Sequence, residues 1–404
     1  MIKVAIMGFG TIGSGVAEVL DINKKSIAAR VGDEVELKYV LDLRDFEGDP
    51  IQEKIVHDYK VIAEDPEVAI VVETMGGVEP AYTFVKTMLE AGKHVTTSNK
   101  ALVAAKGAEL IALAKEKNVN FMFEASVGGG IPIIRPLVES LGGEEILEIS
   151  GILNGTTNYI LTKMNEEGWS FEEALKRAQE LGYAECNPEA DIEGYDTCRK
   201  IAILTAVATG KEVNYEEIPT QGITKITSMD SSYAAHMGAA IKLFGTSVNK
   251  DGKIYLEVAP VLVDAKDPLY AVTDVFNGIL VVGNMLGASM FYGSGAGKLP
   301  TASAVVGDMI SAVRFGDEPE KIGWSSEKLE VHPAAELSRK YFARFEGSER
   351  AKKEAVAAAF GDVKFVTLEG TDEFAVLTGE MTGEEFDAAA AKVGGLRQKI
   401  AARL

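Results

Sequence analysis

The chain has little of several features that mark particular classes of protein. Its 404 residues include only two cysteines, four histidines and two tryptophans, and basic residues number 41 against 61 acidic ones. The cysteines are too few for a disulfide framework and wrongly spaced for a zinc site, and the scattered histidines form no metal or triad pattern. The formal charge of −20 argues against nucleic acid and anionic membranes as partners.

Long hydrophobic runs are also missing. No uninterrupted apolar segment reaches transmembrane length, and the opening MIKVAIMGFG reads as a strand, with neither the apolar region nor the cleavage site of a secretory leader. We therefore expect a cytoplasmic protein that spans no membrane. A hydrophobic content of 47% with 25% charged residues is that of an ordinary globular protein, and the length allows two or three domains.

The N-terminal segment carries a dinucleotide-binding pattern. The apolar run Lys3–Met7 is followed at once by G-x-G-x-x-G and then by a helical stretch. In this context the glycines let backbone N–H groups approach a pyrophosphate at the helix N-terminus. The second predicted strand, Val35–Leu43, contains Asp42 and is followed by Arg44. An acidic residue there would bind the ribose of NAD, and an arginine the 2′-phosphate of NADP, so cofactor choice stays open.

Further strands and helices alternate as in a doubly wound α/β sheet. Val68–Glu73 and His94–Thr97 are predicted strands, and Lys100 follows the second at the edge of the sheet where ligands bind. The residues that we expect to contact the cofactor are Gly8, Phe9, Gly10, Thr11, Ile12, Gly13, Arg44, Thr74, Met75, Ser98, Lys100 and Gly297.

The segment GYAECNPEADIEGYDTCRK, residues 182–200, is the most unusual stretch. It holds five carboxylates within a dozen residues, and helical spacing after Gly194 places Asp196 and Lys200 one turn apart on one face. A buried lysine held by carboxylates can keep or transfer a proton. A solvated acidic loop that leads into a helix with an ordinary surface ion pair is the alternative interpretation.

Seven segments, in one order, make the chain resemble the homoserine dehydrogenases over roughly residues 1 to 316. They are GFGTIG, ETMGG, TSNKALVA, EASVGGGIPII, GILNGTTNYIL, GYAECNPEADIEGYDTCRKIAIL and GSGAGKLPTASAVVGD. The resemblance implies NAD(P)-dependent interconversion of L-homoserine and L-aspartate 4-semialdehyde, a step in the biosynthesis of threonine, methionine and isoleucine.

The same resemblance implies roles for individual residues. Lys200 and Lys100 match the catalytic lysines of the family. The positions that match its substrate site are Glu185, Asp191, Asp196, Gly155 and Thr156, and those that match its monovalent cation site, usually sodium, are Glu124, Val127, Gly129 and Ile131. Hydride transfer to an aldehyde creates an alkoxide that needs a proton, which a lysine ammonium can supply. We expect Lys200 and Lys100 to handle that proton together.

Three domains are predicted. They are a Rossmann domain of residues 1–132 completed by 301–318, a catalytic and dimerisation domain of residues 133–300, and a tail of residues 333–404. The βαββαβ order of the tail resembles the ACT domain, for which threonine is the expected effector. The usual D-x-x-G turn is replaced by Glu-Gly-Ser-Glu at 346–349, so a structural or dimerising role stays open. The resemblance also implies a homodimer or homotetramer.

The chain departs from the family pattern at two places. Cys186-Asn187 stands where Ala-Asp is common, and Lys298 stands where a glycine or an acidic residue is expected. Two other functions stay open: another amino-acid dehydrogenase acting on aspartate, for which we expect a catalytic histidine, and a non-enzymatic sensor that binds a dinucleotide and an amino acid.

Overall fold

The computed structural model describes residues 1–316, 318–319 and 321–404, which fall into two compact units. The first unit comprises Met1–Glu144, Ala202–Tyr215 and Gly293–Leu329, and the second comprises Glu145–Ile201, Glu216–Tyr292 and Glu330–Leu404. The structure thus places the tail in the same compact unit as Glu145–Ile201. The three functional domains with their boundaries stay a prediction.

The strands and helices of the described residues are numbered in chain order. The strands are β1 (Ile2–Met7), β2 (Val35–Leu41), β3 (Ile55–Val56), β4 (Val68–Glu73), β5 (His94–Thr97), β6 (Phe121–Met122), β7 (Ile146–Ile152), β8 (Ala239–Lys250), β9 (Lys253–Asp264), β10 (Phe276–Gly283), β11 (Gly287–Ser294), β12 (Val331–Pro333), β13 (Lys340–Glu346), β14 (Lys364–Val366), β15 (Glu373–Leu377) and β16 (Leu396–Arg403). The helices are α1 (Thr11–Ile22), α2 (Lys24–Val31), α3 (Tyr59–Glu64), α4 (Ala81–Glu90), α5 (Lys100–Glu116), α6 (Gly155–Glu167), α7 (Phe171–Glu180), α8 (Glu189–Ile192), α9 (Tyr195–Thr209), α10 (Ser228–His236), α11 (Lys298–Phe315), α12 (Glu349–Phe360) and α13 (Gly383–Val393).

The first unit is built on a six-stranded sheet in the order β3-β2-β1-β4-β5-β6. All its pairings are parallel. Strands β1 and β4 are nearly all buried, because helices cover both faces of such a sheet and its strands read as continuous apolar runs. The strand order reverses between β1 and β4, and ligands of doubly wound sheets bind at this point, outside the carboxyl ends of the strands. The predicted α/β fold with an N-terminal Rossmann domain is confirmed.

The second unit is built on a ten-stranded sheet, nine strands of which follow the order β11-β10-β7-β8-β9-β16-β13-β15-β14. Strand β12 pairs with β9 beside this path. Long antiparallel strands β8 and β9 form its middle, and one face carries an apolar cluster that includes Ile152, Phe244 and Leu280.

The tail continues this sheet. It has the predicted βαββαβ order, from β13 to β16, and β16 pairs in parallel with β9. A buried arginine reinforces the junction, because Arg344 of β13 pairs with Asp230 at the start of α10 (3.0 Å) and with Glu373 of β15 (2.6 Å). The predicted elements of the tail are therefore present, and its strands share one sheet with β7–β11.

Two predicted boundaries were wrong by a few residues. Strand β2 ends at Leu41, so Asp42 and Arg44 lie in the loop that follows it. The sequence also predicts a helix from Thr301 to Val313, and this helix, α11, starts earlier, at Lys298. A proline in the first turn of a helix costs no backbone hydrogen bond, so Pro300 is tolerated there. Within the part of the chain that the structure describes, no helix combines the length and the apolarity needed to cross a membrane.

Candidate functional site

Lys200 lies at the centre of a buried polar cluster in the second unit. Its Nζ donates to Oδ2 of Asp196 at 2.8 Å and to the backbone oxygen of Leu153 at 2.7 Å. Lys200 is 7% exposed and Asp196 3%. The two residues are one turn apart on α9, as predicted, and their burial rules out the alternative of an ordinary surface ion pair. A buried charge persists only when it is paired and hydrogen-bonded.

Asn154 connects this pair to a second carboxylate. Its Nδ2 donates to Oδ1 of Asp191 (2.8 Å) and to Oδ2 of Asp196 (3.0 Å), while its Oδ1 accepts the N–H of Thr157 and so caps α6. Sequence reasoning missed Asn154 as a site residue. The signal was its place directly before the helical run GTTNYIL, where asparagine is a strong N-cap.

Of the other substrate-site candidates, two lie at the start of α6 and one lies at the surface. Thr156 is buried, and its hydroxyl donates to the backbone oxygen of Tyr183 at 2.6 Å. Gly155 lies against Val275, whose carbonyl oxygen is 2.6 Å from the position that a Cβ at residue 155 would occupy. Glu185 is exposed, and its backbone oxygen accepts from Nε2 of Gln179 at 3.1 Å. The structure thus brings together Lys200, Asp196, Asp191 and the start of α6, and it leaves Glu185 at the surface.

The glycine-rich loop of the first unit has the close packing that its motif requires. Gly8 has a φ of +94°, and a Cβ at Gly13 would lie 2.0 Å from the carbonyl oxygen of Gly8. Thr74, which follows β4, donates its hydroxyl to the same carbonyl at 2.8 Å. No larger residue could replace Gly13 without moving the loop, and this close approach of the loop to the start of α1 is what the dinucleotide-binding motif requires.

Asp42 and Arg44, the two residues that left cofactor choice open, bind each other. Oδ1 of Asp42 accepts from Nε of Arg44 (2.9 Å) and Oδ2 from its NH2 group (2.9 Å), and the same guanidinium donates to the backbone oxygen of Phe9 (3.0 Å). Oδ2 also accepts the backbone N–H of Phe9 at 2.8 Å. The Arg44 guanidinium holds the pKa of Asp42 well below its usual range, so the carboxylate stays ionised, and both of its oxygens accept hydrogen bonds from within the protein. The side chain of Arg44 is 60% exposed.

Glu73 is a buried carboxylate that sequence reasoning did not single out. It ends β4 and is fully buried, and burial raises the pKa of its carboxyl group. Its oxygens accept from the hydroxyl of Thr97 (2.5 Å), the N–H of Met75 (2.7 Å) and, more weakly, Nδ2 of Asn99 (3.4 Å). Glu73 therefore ties the loop after β4 to the loop after β5. The sequence feature that could have identified Glu73 is an acidic residue at the end of an apolar run.

Lys100 is the first residue of α5 in the first unit and is partly buried. Asn99 before it caps the helix, because its Oδ1 accepts the N–H of Leu102 (3.1 Å), and its Nδ2 donates to the backbone oxygen of Gly77 (2.6 Å). Ser98, also partly buried, donates its N–H to the backbone oxygen of Glu73 (3.3 Å). Lys100 thus follows a loop fixed at several points.

Gly297 and Lys298 begin α11 beside α1. Gly297 has a φ of +114°, and Lys298 pairs with Glu18 of α1 at 2.6 Å. A Cβ at Gly15 would lie 2.9 Å from Cγ of Lys298. The lysine that departs from the family pattern therefore packs along α1 and holds α11 against it.

The predicted cation-site residues surround a second buried acidic group. Glu124 is 4% exposed, and its carboxylate accepts the backbone N–H groups of Ile133 (2.6 Å), Ile134 (2.7 Å) and Arg135 (2.9 Å). Burial and the neighbouring Glu124 raise the pKa of Asp308, which pairs with Arg135 (2.5 Å). Both oxygens of the Glu124 carboxylate thus accept hydrogen bonds from backbone N–H groups of the protein. Among the described residues, no group of three or more histidine, cysteine or acidic side chains is arranged to hold a metal ion.

The loop between these groups turns sharply. Gly129 has a φ of +57°, and a Cβ at Gly128 would lie 2.3 Å from the carbonyl oxygen of Ile131. The N–H of Ile131 donates to the oxygen of Gly128 at 2.9 Å. A loop of this kind can present backbone carbonyls as ligands.

Known proteins match the chain over both of its units. A family model described as "Homoserine dehydrogenase, NAD binding domain" matches residues 8–124, and one described as "Homoserine dehydrogenase" matches residues 132–310. A homoserine dehydrogenase of Synechocystis is 41% identical over 359 residues, which cover 85% of this chain and 82% of the relative. The chain belongs to the homoserine dehydrogenase family.

Solved structures of homoserine dehydrogenases share the fold. The enzyme from Thiobacillus denitrificans matches 100% of this chain and 98% of its own, with 33% identity and a TM-score of 0.90. A mutant of a hyperthermophilic archaeal homoserine dehydrogenase, described in complex with NADPH, matches 78% of this chain and 98% of its own, with 31% identity and a TM-score of 0.67.

The predicted family and reaction are therefore confirmed. The protein is an NAD(P)-dependent oxidoreductase that interconverts L-homoserine and L-aspartate 4-semialdehyde in amino-acid biosynthesis. The alternatives of a different amino-acid dehydrogenase and of a non-enzymatic sensor are set aside. The roles of individual residues stay predictions.

Proposed function

We propose that Lys200 exchanges the proton with the substrate oxygen during homoserine dehydrogenase turnover. The observation that supports this role is the burial of the Lys200 ammonium beside the carboxylate of Asp196, with the backbone oxygen of Leu153 as a further acceptor. When the nicotinamide cofactor is bound, it accepts or supplies the hydride. Lys200 then gives a proton to the alkoxide in the reductive direction and takes one from the hydroxyl in the oxidative direction.

The carboxylates of this cluster are proposed to bind and orient the amino acid. Asp191 is half-buried and hydrogen-bonded to Asn154, which also donates to Asp196; these contacts support a role for Asp191 in binding the α-ammonium of homoserine. Gly155 and Thr156 present backbone N–H groups at the start of α6, where the positive end of the helix dipole attracts the α-carboxylate. Glu185, at the surface, is proposed to complete the ammonium site on substrate binding. Lys100 is proposed as the second catalytic lysine because it matches the family pattern.

Substitution of Lys200 by methionine tests the proton role. Lys200→Met should lower kcat for homoserine oxidation by about 10²- to 10⁴-fold, the range of general acid–base catalysis. The affinity for NADP, measured by fluorescence titration, should stay within twofold, because the glycine-rich loop belongs to the first unit. Lys211→Met is the matched control, since its ion pair with Glu327 is exposed. Near-normal turnover by Lys200→Met would reject the proposal.

The ribose site is proposed to favour NADP. Both oxygens of Asp42 already accept hydrogen bonds from Arg44, and one also accepts from Phe9, so the carboxylate is poorly available for a ribose hydroxyl. The exposed guanidinium of Arg44 offers a charge to the 2′-phosphate. Loss of one charge-assisted contact in Arg44→Gln should lower the ratio of kcat/KM for NADP over NAD by about tenfold. An unchanged ratio would contradict this assignment.

A monovalent cation is proposed to bind the loop between Glu124 and Ile131, with sodium as the expected ion. Because the carboxylate of Glu124 is used by backbone N–H groups, the ligands would be backbone oxygens of Glu124, Val127, Gly129 and Ile131, and hard oxygen donors suit such ions. Thermal unfolding in sodium chloride against choline chloride at equal ionic strength tests binding without reference to activity. A sodium-independent melting temperature would contradict it.

The tail is proposed to be ACT-like, with threonine as the candidate effector, and the chain to form a homodimer or homotetramer. The βαββαβ order of the tail and the exposed edge strand β11 support these proposals. A cytoplasmic location is proposed with them, since neither Cys186 nor Cys198 forms a disulfide. Millimolar threonine should change the rate or the melting temperature, and sedimentation should give a particle of two or four chains. No effect of threonine would remove it as effector.

A further inference from the structure

Lys242 is a buried lysine to which the proposed mechanism gives no role. It lies near the start of β8, between the apolar residues Ile241 and Leu243, and is only 2% exposed. Its Nζ donates to the backbone oxygen of Val272 at 2.6 Å and lies 3.5 Å from Oδ1 of Asn158 on α6. Burial of a lysine ammonium costs free energy, so the presence of a lysine at this buried position needs an explanation.

The partners of Lys242 hold one short loop. Residues 272–276 lead into β10, and Nδ2 of Asn158, which carries two N–H donors, lies within hydrogen-bond distance of three of their carbonyl oxygens, those of Val272 (3.2 Å), Asp274 (3.0 Å) and Phe276 (3.1 Å). Asp274 has a φ of +52°, an uncommon angle for a residue other than glycine. Its N–H donates to the hydroxyl oxygen of Thr162 at 3.1 Å. The loop is therefore fixed to α6 by Asn158 and Thr162 and to the sheet by Lys242.

This loop lies directly against the proposed substrate site. The carbonyl oxygen of Val275 approaches Gly155, the first residue of α6, so closely that a Cβ at Gly155 would be 2.6 Å from it. Asn154, the residue before Gly155, donates to both Asp191 and Asp196, and Asp196 pairs with Lys200. A displaced loop would therefore move the first turn of α6 and with it the carboxylates.

We infer that Lys242 is a positioning residue for homoserine: it fixes residues 272–276 against the start of α6 and so sets the shape of the amino-acid site. The inference rests on the proposed substrate site at α6. Lys242 acts through the loop and lies in the sheet beneath it, so it should govern how well the substrate is held and leave the proton-transferring group unchanged.

The test is Lys242→Met, which keeps the length of the side chain and removes the donor to Val272. Loss of one charge-assisted hydrogen bond predicts a rise of about tenfold in KM for homoserine, with kcat within threefold of wild type. The dissociation constant for NADP should not change. Lys250→Met, a lysine at the exposed end of the same strand, is the matched control and should resemble wild type in all three quantities.

A purely structural lysine would lower the melting temperature and leave the KM of the folded enzyme unchanged, and that result for Lys242→Met would overturn the inference. If Lys242→Met does not fold, Lys242→Gln decides by the same criterion, since it removes the charged donor to Val272 and keeps a polar side chain beside Asn158. A raised KM in the folded variant supports the inference and an unchanged one rejects it. Failure of the Lys200 proposal is a separate outcome, seen as near-normal kcat in Lys200→Met.

Discussion

Several charged residues of this protein are buried, and their burial cannot be read from the sequence alone. Lys200 and Asp196 were predicted to share a helix face, because i and i+4 spacing is a local property. Their burial, and the bridge that Asn154 forms to Asp191, depend on how α6, α8 and α9 pack. Burial was therefore the part that local spacing could not give. It is also what separates a proposed catalytic lysine from a surface ion pair.

Lys242 was not singled out from the sequence because a lone lysine in AAIKLFG reads as an exposed position of a strand. In the structure, burial lowers its pKa from 10.5 to about 8. Between these two values the unfolded chain binds a proton that the folded protein has released. The free energy of unfolding therefore rises with pH across this window. As the pH falls from 10.5 to about 8, the folded protein loses this stability relative to the unfolded chain.

The free energy of unfolding of wild type minus that of Lys242→Met should accordingly rise by up to about 3 kcal/mol from pH 8 to pH 10.5. Urea unfolding of both proteins at several pH values measures it, and groups present in both cancel. A difference that stays flat, or that falls with pH, would contradict the burial of an ammonium at this position.

At the scale of elements, periodicity and glycine placement predicted the first unit well. Strand β5 was predicted with its observed bounds, and β1, the G-x-G-x-x-G turn and α1 follow one another as expected. The start of α11 was placed three residues late, and the first turn of the helix tolerates Pro300. Mutual pairing of Asp42 and Arg44 was beyond prediction, since both rotamers depend on the position of Phe9.

Glu73 gives a test at this scale, because it joins the ends of two strands. Glu73→Ala removes the acceptors for Thr97, Met75 and Asn99, and unpaired buried donors cost about 1–3 kcal/mol each. We expect weaker NADP binding by at least about tenfold, since Thr74, Met75 and Ser98 lie in the released loops. Glu73→Gln, which keeps an acceptor of the same shape, should bind NADP nearly as wild type does. Equal binding by wild type and Glu73→Ala would show that these loops hold their shape without the carboxylate.

At the scale of the whole molecule, the second unit is one sheet that includes the tail. The predicted strands of the tail were observed, but the pairing of β16 with β9 could not be predicted, because pairing between distant strands has no local signal. Arg344 lies at this junction, buried between Asp230 and Glu373. The tail is therefore held to α10 and to the central strands by buried polar contacts as well as by strand pairing.

Arg344→Met should be strongly destabilising. It leaves the buried Asp230 and the partly buried Glu373 without their common cation, and loss of one partner of a buried ion pair costs about 3–5 kcal/mol. Arg397→Met is the control, because its pair with Glu346 is exposed and such pairs contribute less than about 1 kcal/mol. Calorimetric melting of both variants compares them. Similar melting temperatures for the two variants would mean that the junction does not depend on Arg344.

The most direct measurement of the central claim is rescue of Lys200→Ala by added amines in homoserine oxidation with NADP. The variant alone should be nearly inactive, and small primary amines should restore turnover in proportion to their concentration, because a free amine can take the hydroxyl proton in place of the missing side chain. The NADP dissociation constant should be unchanged throughout. Substantial turnover by Lys200→Ala without any amine would contradict the assignment of the proton to Lys200.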